Sequence, residues 1–261
     1  KFNVIPQSFF QVDNEETLSV NLFKKKLKNP IGLAAGFDKS AEVYNSLFKL
    51  GFGFVEVGTI TPVRQLGNLK PRIFRLEKDE AMINRLGFNN DGLEIVSERI
   101  KKNLPNECLG INVGPNKNTE DKTSDFLKCI NLLHKFSSYI TINISSPNTE
   151  GLRDFHEEKL LSNLLTQINK LKKTQKINTP IILKLSPDIT DQETSNINEL
   201  ILKFKIDGII LTNTTIQNRE NLIDKNKSEE GGLSGPPLHN ISLKFIKNFY
   251  KMNKGKISII G

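Results

Sequence analysis

Between residues 141 and 153 the chain reads TINISSPNTEGLR, a β-branched run that passes directly into asparagines, serines and a proline. Polar side chains removed from water cost free energy unless each finds a partner. A strand that ends in amides and hydroxyls therefore suits the lining of a polar site better than a core. The pattern recurs along the chain. Lys39, Thr59, Asn112, Asn143, Ser146, Asn148, Lys184, Thr212, Asn213 and Thr214 all stand at or just beyond apolar runs. Asparagine carries an acceptor and two donors, so several of them together match the imide and ring-amide edges of a pyrimidine or an isoalloxazine. Singly, each is an ordinary turn or cap residue; their repetition on successive strands is the signal.

The elements that must position these residues alternate. Short Val-, Ile- and Leu-rich runs are followed by a polar or Gly-containing loop and then by a segment of helical period. Seven strand candidates are visible: IGLAA from Ile31, FVEVG from Phe54, LGINV from Leu109, YITINI from Tyr139, IILKL from Ile181, GIILTN from Gly208 and ISIIG from Ile257. Amphipathic stretches lie between them, such as Leu93, Val96, Ile100 and Leu104, or Ile197, Leu200, Ile201 and Phe204. Thr190 and Glu193 have capping-box spacing and place the start of one helix. The stretch LSVNLFKKKLKNP reads as a small hairpin ahead of the first barrel strand.

Near-continuous apolar strands alternating with helices predict a parallel sheet covered on the outside, either an open doubly wound sheet or a (β/α)8 barrel. No G-x-G-x-x-G follows the first strand, and the polar residues are spread over nearly every strand end instead of one switch point, which favours the barrel. The expected organisation is an N-terminal remnant with the hairpin at the barrel base over residues 1–28, then one α/β barrel over 29–261.

Composition excludes several classes. With 261 residues, 37% hydrophobic and 25% charged, the chain is of ordinary globular type. No apolar run reaches the length of a membrane span. Cys108 and Cys129 with three histidines make no metal or disulfide framework. The net charge of +8 comes from lysines spread over helix faces without interleaved aromatics, a solvated surface more than a nucleic-acid groove.

The segments NPIGLAAGFDK, VGTITP, NRLGFNN, NISSPNTEGLR, LTNTT and GGLSGPPL, in this order from about Asn29 onward, resemble the motifs of dihydroorotate dehydrogenase, specifically its quinone-dependent class 2. The resemblance implies a TIM-barrel flavoprotein that binds FMN, oxidises dihydroorotate to orotate in pyrimidine (UMP) biosynthesis and passes electrons to a quinone. It implies Ser146 as the catalytic base, with Thr149 and a water as the proton relay. For the substrate it implies Lys39 and Asn84, with the backbone of Arg85, Leu86, Gly87 and Phe88, and Asn143, Asn148, Asn213 and Thr214. For FMN it implies Ala35, Gly36, Lys39, Thr59, Asn112, Asn143, Lys184, Thr212 and Gly235. Lys184 would stabilise negative charge on the ring, while Gly235 and the following helix would form half of a phosphate site. No metal is expected.

Class 2 members also carry an N-terminal segment that lies on the inner membrane, cytoplasmic or mitochondrial, and forms the quinone entry. They continue past the seventh strand with a last βα unit. Neither is seen in this sequence, so the expectation is a chain incomplete at both ends whose unpaired edge strands hinder folding and FMN retention. The alternatives are a cysteine-type dehydrogenase using fumarate or NAD, disfavoured by Ser146, an inactive fragment, and an RNA-binding flavin barrel, which also relies on a catalytic cysteine.

Overall fold

The computed structural model describes residues 16–261. All seven expected strands form one parallel sheet, in the order β12-β10-β9-β8-β7-β4-β3. They are β3 (Gly32–Leu33), β4 (Phe54–Ile60), β7 (Cys108–Val113), β8 (Tyr139–Asn143), β9 (Ile181–Leu185), β10 (Gly208–Leu211) and β12 (Ser258–Ile260). The helices α1 (Tyr44–Lys49), α2 (Leu93–Lys102), α3 (Lys122–Leu133), α4 (Glu158–Thr174), α5 (Asp191–Phe204) and α6 (Pro236–Asn253) alternate with them. The middle strands β4, β7, β8, β9 and β10 are buried at every position, which is why their sequences read as continuous apolar runs.

The period of two divides each strand between two cores. Outward residues such as Val55, Leu109, Ile140 and Leu183 pack with Val96, Phe126, Leu164 and Ile197 of the helices. Inward, Phe54, Cys108, Tyr139, Ile182 and Ile210 form an apolar floor with Leu22 and Leu27. Those leucines belong to the expected hairpin, β1 (Val20–Leu22) antiparallel to β2 (Lys25–Leu27), which plugs the base of the barrel. Gly110 is required inside, because a Cβ there would lie 2.2 Å from Cζ of the Tyr139 ring.

The sheet curls without closing. Its edges, β3 and β12, do not pair with each other among the described residues. A cavity of about 480 Å³ opens between them, reaching Glu56, Lys184 and Thr212 in the interior.

Several expectations are corrected in detail. The IGLAA run gives only the two-residue β3, because the chain leaves the sheet at Ala34 to build a loop. Leu104 falls beyond α2 and is 59% exposed. Cys108 is the first residue of β7 instead of preceding it. The Thr190–Glu193 capping box is present in full, with Glu193 N–H donating to Thr190 Oγ1 (3.2 Å) and Thr190 N–H donating to Glu193 Oε2 (2.7 Å). A three-stranded antiparallel sheet, β5 (Ile73–Leu76), β6 (Ala81–Asn84) and β11 (Gly232–Ser234), was not visible in the sequence pattern. It packs Leu76, Ile83 and Leu233 against Leu222. No helix among the described residues is long and apolar enough to cross a membrane.

Candidate active site

The loop after β3 hangs on the end of β4. Gly36 N–H donates to Gly58 O (2.9 Å) and Gly58 N–H to Asp38 O (2.9 Å). At φ +105° Gly58 takes a conformation that L side chains rarely adopt, and a Cβ there would sit 2.4 Å from Asn112 O. This places Ala35, Gly36 and Lys39 beside Thr59. They line one cavity of about 160 Å³ with Asn84, Leu86, Gly87, Phe88, Asn143, Ser146, Asn148, Lys184, Asn213 and Thr214. Five strand ends and the end of β6 thus meet at the C-terminal mouth of the barrel, where barrels build sites.

A buried hydrogen-bond network holds the wall. Glu56 accepts from Asn112 Nδ2 (2.9 Å) and from Thr141 Oγ1 (2.8 Å). Asn112 Oδ1 accepts from Thr59 Oγ1 (2.6 Å) and Asn143 Nδ2 (3.2 Å), and Asn143 Nδ2 also donates to Thr59 Oγ1 (3.1 Å). Asn143 Oδ1 accepts from Ser145 N–H and Oγ, and Ser145 Oγ accepts from Asn213 Nδ2 (2.8 Å). Asn112 is therefore a support beneath the cavity, and the Asn143 amide nitrogen donates into the same wall. Glu56 and Ser145 were not singled out from sequence; a carboxylate in the middle of the buried run FVEVG was the available signal.

The electrostatics are one-sided. Burial, with Arg72 and Lys184 nearby, pulls the Lys39 ammonium from its ordinary 10.5 down to about 8. No acidic side chain forms an ion pair with Lys39 or Lys184 among the described residues. Two unpaired cations in a small polar cavity are costly alone and suit an anionic occupant. Thr212 Oγ1 is likewise buried with no hydrogen-bond partner, and nothing lies within 4 Å of where a Gly36 Cβ would be. An orphaned hydroxyl, a free ammonium and exposed backbone at residues 35 and 36 fit a flavin ring laid across the mouth.

Ser146 is 5% exposed, and its Oγ accepts from Asn148 N–H (3.3 Å). No carboxylate or imidazole is hydrogen-bonded to it among the described residues. Asn148 Nδ2 donates to Asn84 O (3.1 Å). Thr149 is buried but makes no hydrogen bond to Ser146. Of the residues expected at the site, Arg85, Asn112, Thr212 and Gly235 do not line this cavity; Asn112 supports it from beneath and Thr212 borders the larger one. Arg85 turns outward, pairing with Glu229 (2.7 Å) and lying 4.4 Å from the centre of the Phe74 ring. Just past β6, the Arg85 side chain faces away from the cavity that Asn84 and Leu86 line. Gly235 is the N-cap of α6, the helix start at which it was expected, and borders grooves separate from this cavity. Gly231 and Gly232, shortly before it, pack against Asn84 and Thr214, where a Cβ would meet atoms at 2.3 and 1.9 Å.

Both thiols are remote from this chemistry. Cys129 is fully buried and Cys108 sits in the floor, and burial raises both thiols above their ordinary value.

The family model for dihydroorotate dehydrogenase matches residues 17–261. A dihydroorotate dehydrogenase (quinone) from Idiomarina loihiensis is 43% identical over 100% of this chain and 80% of its own length. One from Bartonella tribocorum is 46% identical over 95% of this chain and 70% of its own. The crystal structure of a ligand-free dihydroorotate dehydrogenase from Eimeria tenella superposes with a TM-score of 0.91 at 41% identity, covering 96% of this chain and 76% of that one. With its strand order, its mouth and these relatives in agreement, the chain belongs to the dihydroorotate dehydrogenase family.

Proposed function

We propose that the protein oxidises dihydroorotate to orotate with FMN as its flavin and a quinone as electron acceptor, a step of pyrimidine biosynthesis. The observation that carries this reading is the convergence of Lys39, Asn84, Asn143, Ser146, Asn148, Asn213 and Thr214 on one cavity that contains two uncompensated ammonium groups. Lys39 binds the substrate carboxylate through a charge-assisted hydrogen bond. The amides of Asn84, Asn148 and Asn213 hold the ring by its polar edges. Ala35, Gly36, Thr59, Lys184 and Thr212 are the residues that would hold FMN, and when bound it supplies the acceptor for the hydride leaving C6 of the substrate.

Ser146 Oγ takes the proton from C5. A serine hydroxyl ionises far above neutral pH, so the proton must pass onward as it arrives. The absence of a hydrogen-bonded side-chain base beside Ser146 among the described residues makes water the carrier in this reading. Lys184, next to Asn143 in the sheet register, keeps positive charge at the cofactor side of the mouth. Because quinones are lipid-soluble, the enzyme works at a membrane surface, peripherally.

The test is Ser146→Ala in the full-length, FMN-loaded protein. Flavin reduction by dihydroorotate should slow by about 10²–10⁴-fold, the usual range for loss of a general base, with FMN still bound. Reduction within threefold of the parent removes Ser146 from this role.

A further inference from the structure

The loop that carries Ser146 is tied down by a group outside the cavity. Arg153 lies in a short 3-10 helix, Arg153–His156, after β8. Its guanidinium reaches three strand-end loops at once. Nε–H donates to Ser145 O (3.2 Å), in the peptide joined to Ser146. Nη2 donates to Thr214 O (3.4 Å), beyond β10. Nη1 pairs with Asp188 Oδ2 (3.0 Å), beyond β9. Asp188 is itself doubly held, accepting from Ile216 N–H (3.0 Å) and from the Thr215 hydroxyl. The side chains of Arg153 and Asp188 are 21% and 6% exposed, so the pair is shielded from salt.

We propose that Arg153, anchored by Asp188, is a positioning residue that fixes the Ser145–Ser146 peptide against Thr214, setting the serine oxygen and the substrate-binding end of β10 at a constant separation. Only a planar fork can do this. Lysine would supply the charge but a single point of attachment, whereas guanidinium offers donors fixed in direction towards two carbonyls and a carboxylate. The consequence is catalytic because proton abstraction depends on near-attack geometry, and a misplacement of about 1 Å costs about 10²-fold. Arg153 closes the NISSPNTEGLR segment, but its partner Asp188 is separated from it by α4 and the whole of β9.

This inference rests on Ser146 as the base, so the experiment separates the two. Full-length, FMN-loaded R153A, S146A and S146A/R153A are mixed with dihydroorotate in a stopped-flow instrument, and the limiting rate of flavin reduction is read. R153A should be about 10²-fold slower, and about 20 mM guanidinium should restore at least tenfold, which replacement of a merely structural residue would not show. The double variant should be no slower than S146A, because Arg153 acts through Ser146. Parental speed in S146A refutes the base assignment. Parental speed in R153A, absence of rescue, or a full further loss in the double variant overturns the positioning role. If R153A does not accumulate as folded flavoprotein, R153K and D188N are read by the same criteria: either at parental speed overturns the role, and slow reduction that does not add to S146A supports it.

Discussion

Lys39 carries a charge that the protein would be more stable without. Its ammonium is held at about 8 against an ordinary 10.5, with burial as the main cause and Arg72 and Lys184 adding repulsion. In the ligand-free protein the unfolded state therefore binds more protons between these values. The penalty is fully present below about pH 8 and is relieved as pH rises towards 10.5. At about 1.36 kcal/mol per pH unit of difference, the gap corresponds to about 3 kcal/mol, and residual water contact reduces this to about 2 kcal/mol. Lys39→Met keeps the stem, loses no hydrogen bond to the described residues and removes the charge. In protein freed of flavin and substrate, urea unfolding at pH 7 should show the variant more stable by about 2 kcal/mol. That advantage should shrink steadily between pH 8 and 10.5. The same substitution should weaken dihydroorotate binding by about 10–150-fold, the worth of one charged hydrogen bond. A variant no more stable than the parent at pH 7, or an advantage unchanged at pH 10.5, would refute the argument that this cation is kept for an anionic ligand.

Lys184→Met should lower the flavin reduction potential and loosen FMN; a potentiometric titration without a shift, with FMN retained, removes it from the cofactor site. Glu56→Leu strips the acceptor from Asn112 and Thr141 inside the barrel, and should cost about 2–6 kcal/mol in denaturant unfolding, from two unsatisfied donors at about 1–3 kcal/mol each. His156, buried beside Arg153, is held at about 4 instead of 6.5, so stability falls as pH drops through that interval; His156→Leu should flatten this acid limb in unfolding curves. Cys108→Ser with Cys129→Ala should leave flavin reduction by dihydroorotate at the parental rate, whereas loss of reduction would revive a cysteine base.

What the sequence alone determined is whatever depends on neighbours along the chain. Continuous apolar runs marked the strands of the parallel sheet because both faces of each are buried, and Thr190 with Glu193 marked a helix start because a capping box is closed within one turn. Polar residues at the ends of those runs marked the mouth. The resemblance in NISSPNTEGLR and the other segments then supplied the chemistry. What only the tertiary structure decided depends on partners far away in the chain. β11 joins the local β5–β6 hairpin from far along the chain, so GGLSG became a strand packed on Asn84. Just past β6, the Arg85 side chain turned outward onto Glu229, 144 residues away in the chain. The roles of Glu56, Ser145, Arg153 and Asp188 could not be read locally, because they are set by hydrogen bonds between loops and strands that meet only when the sheet curls.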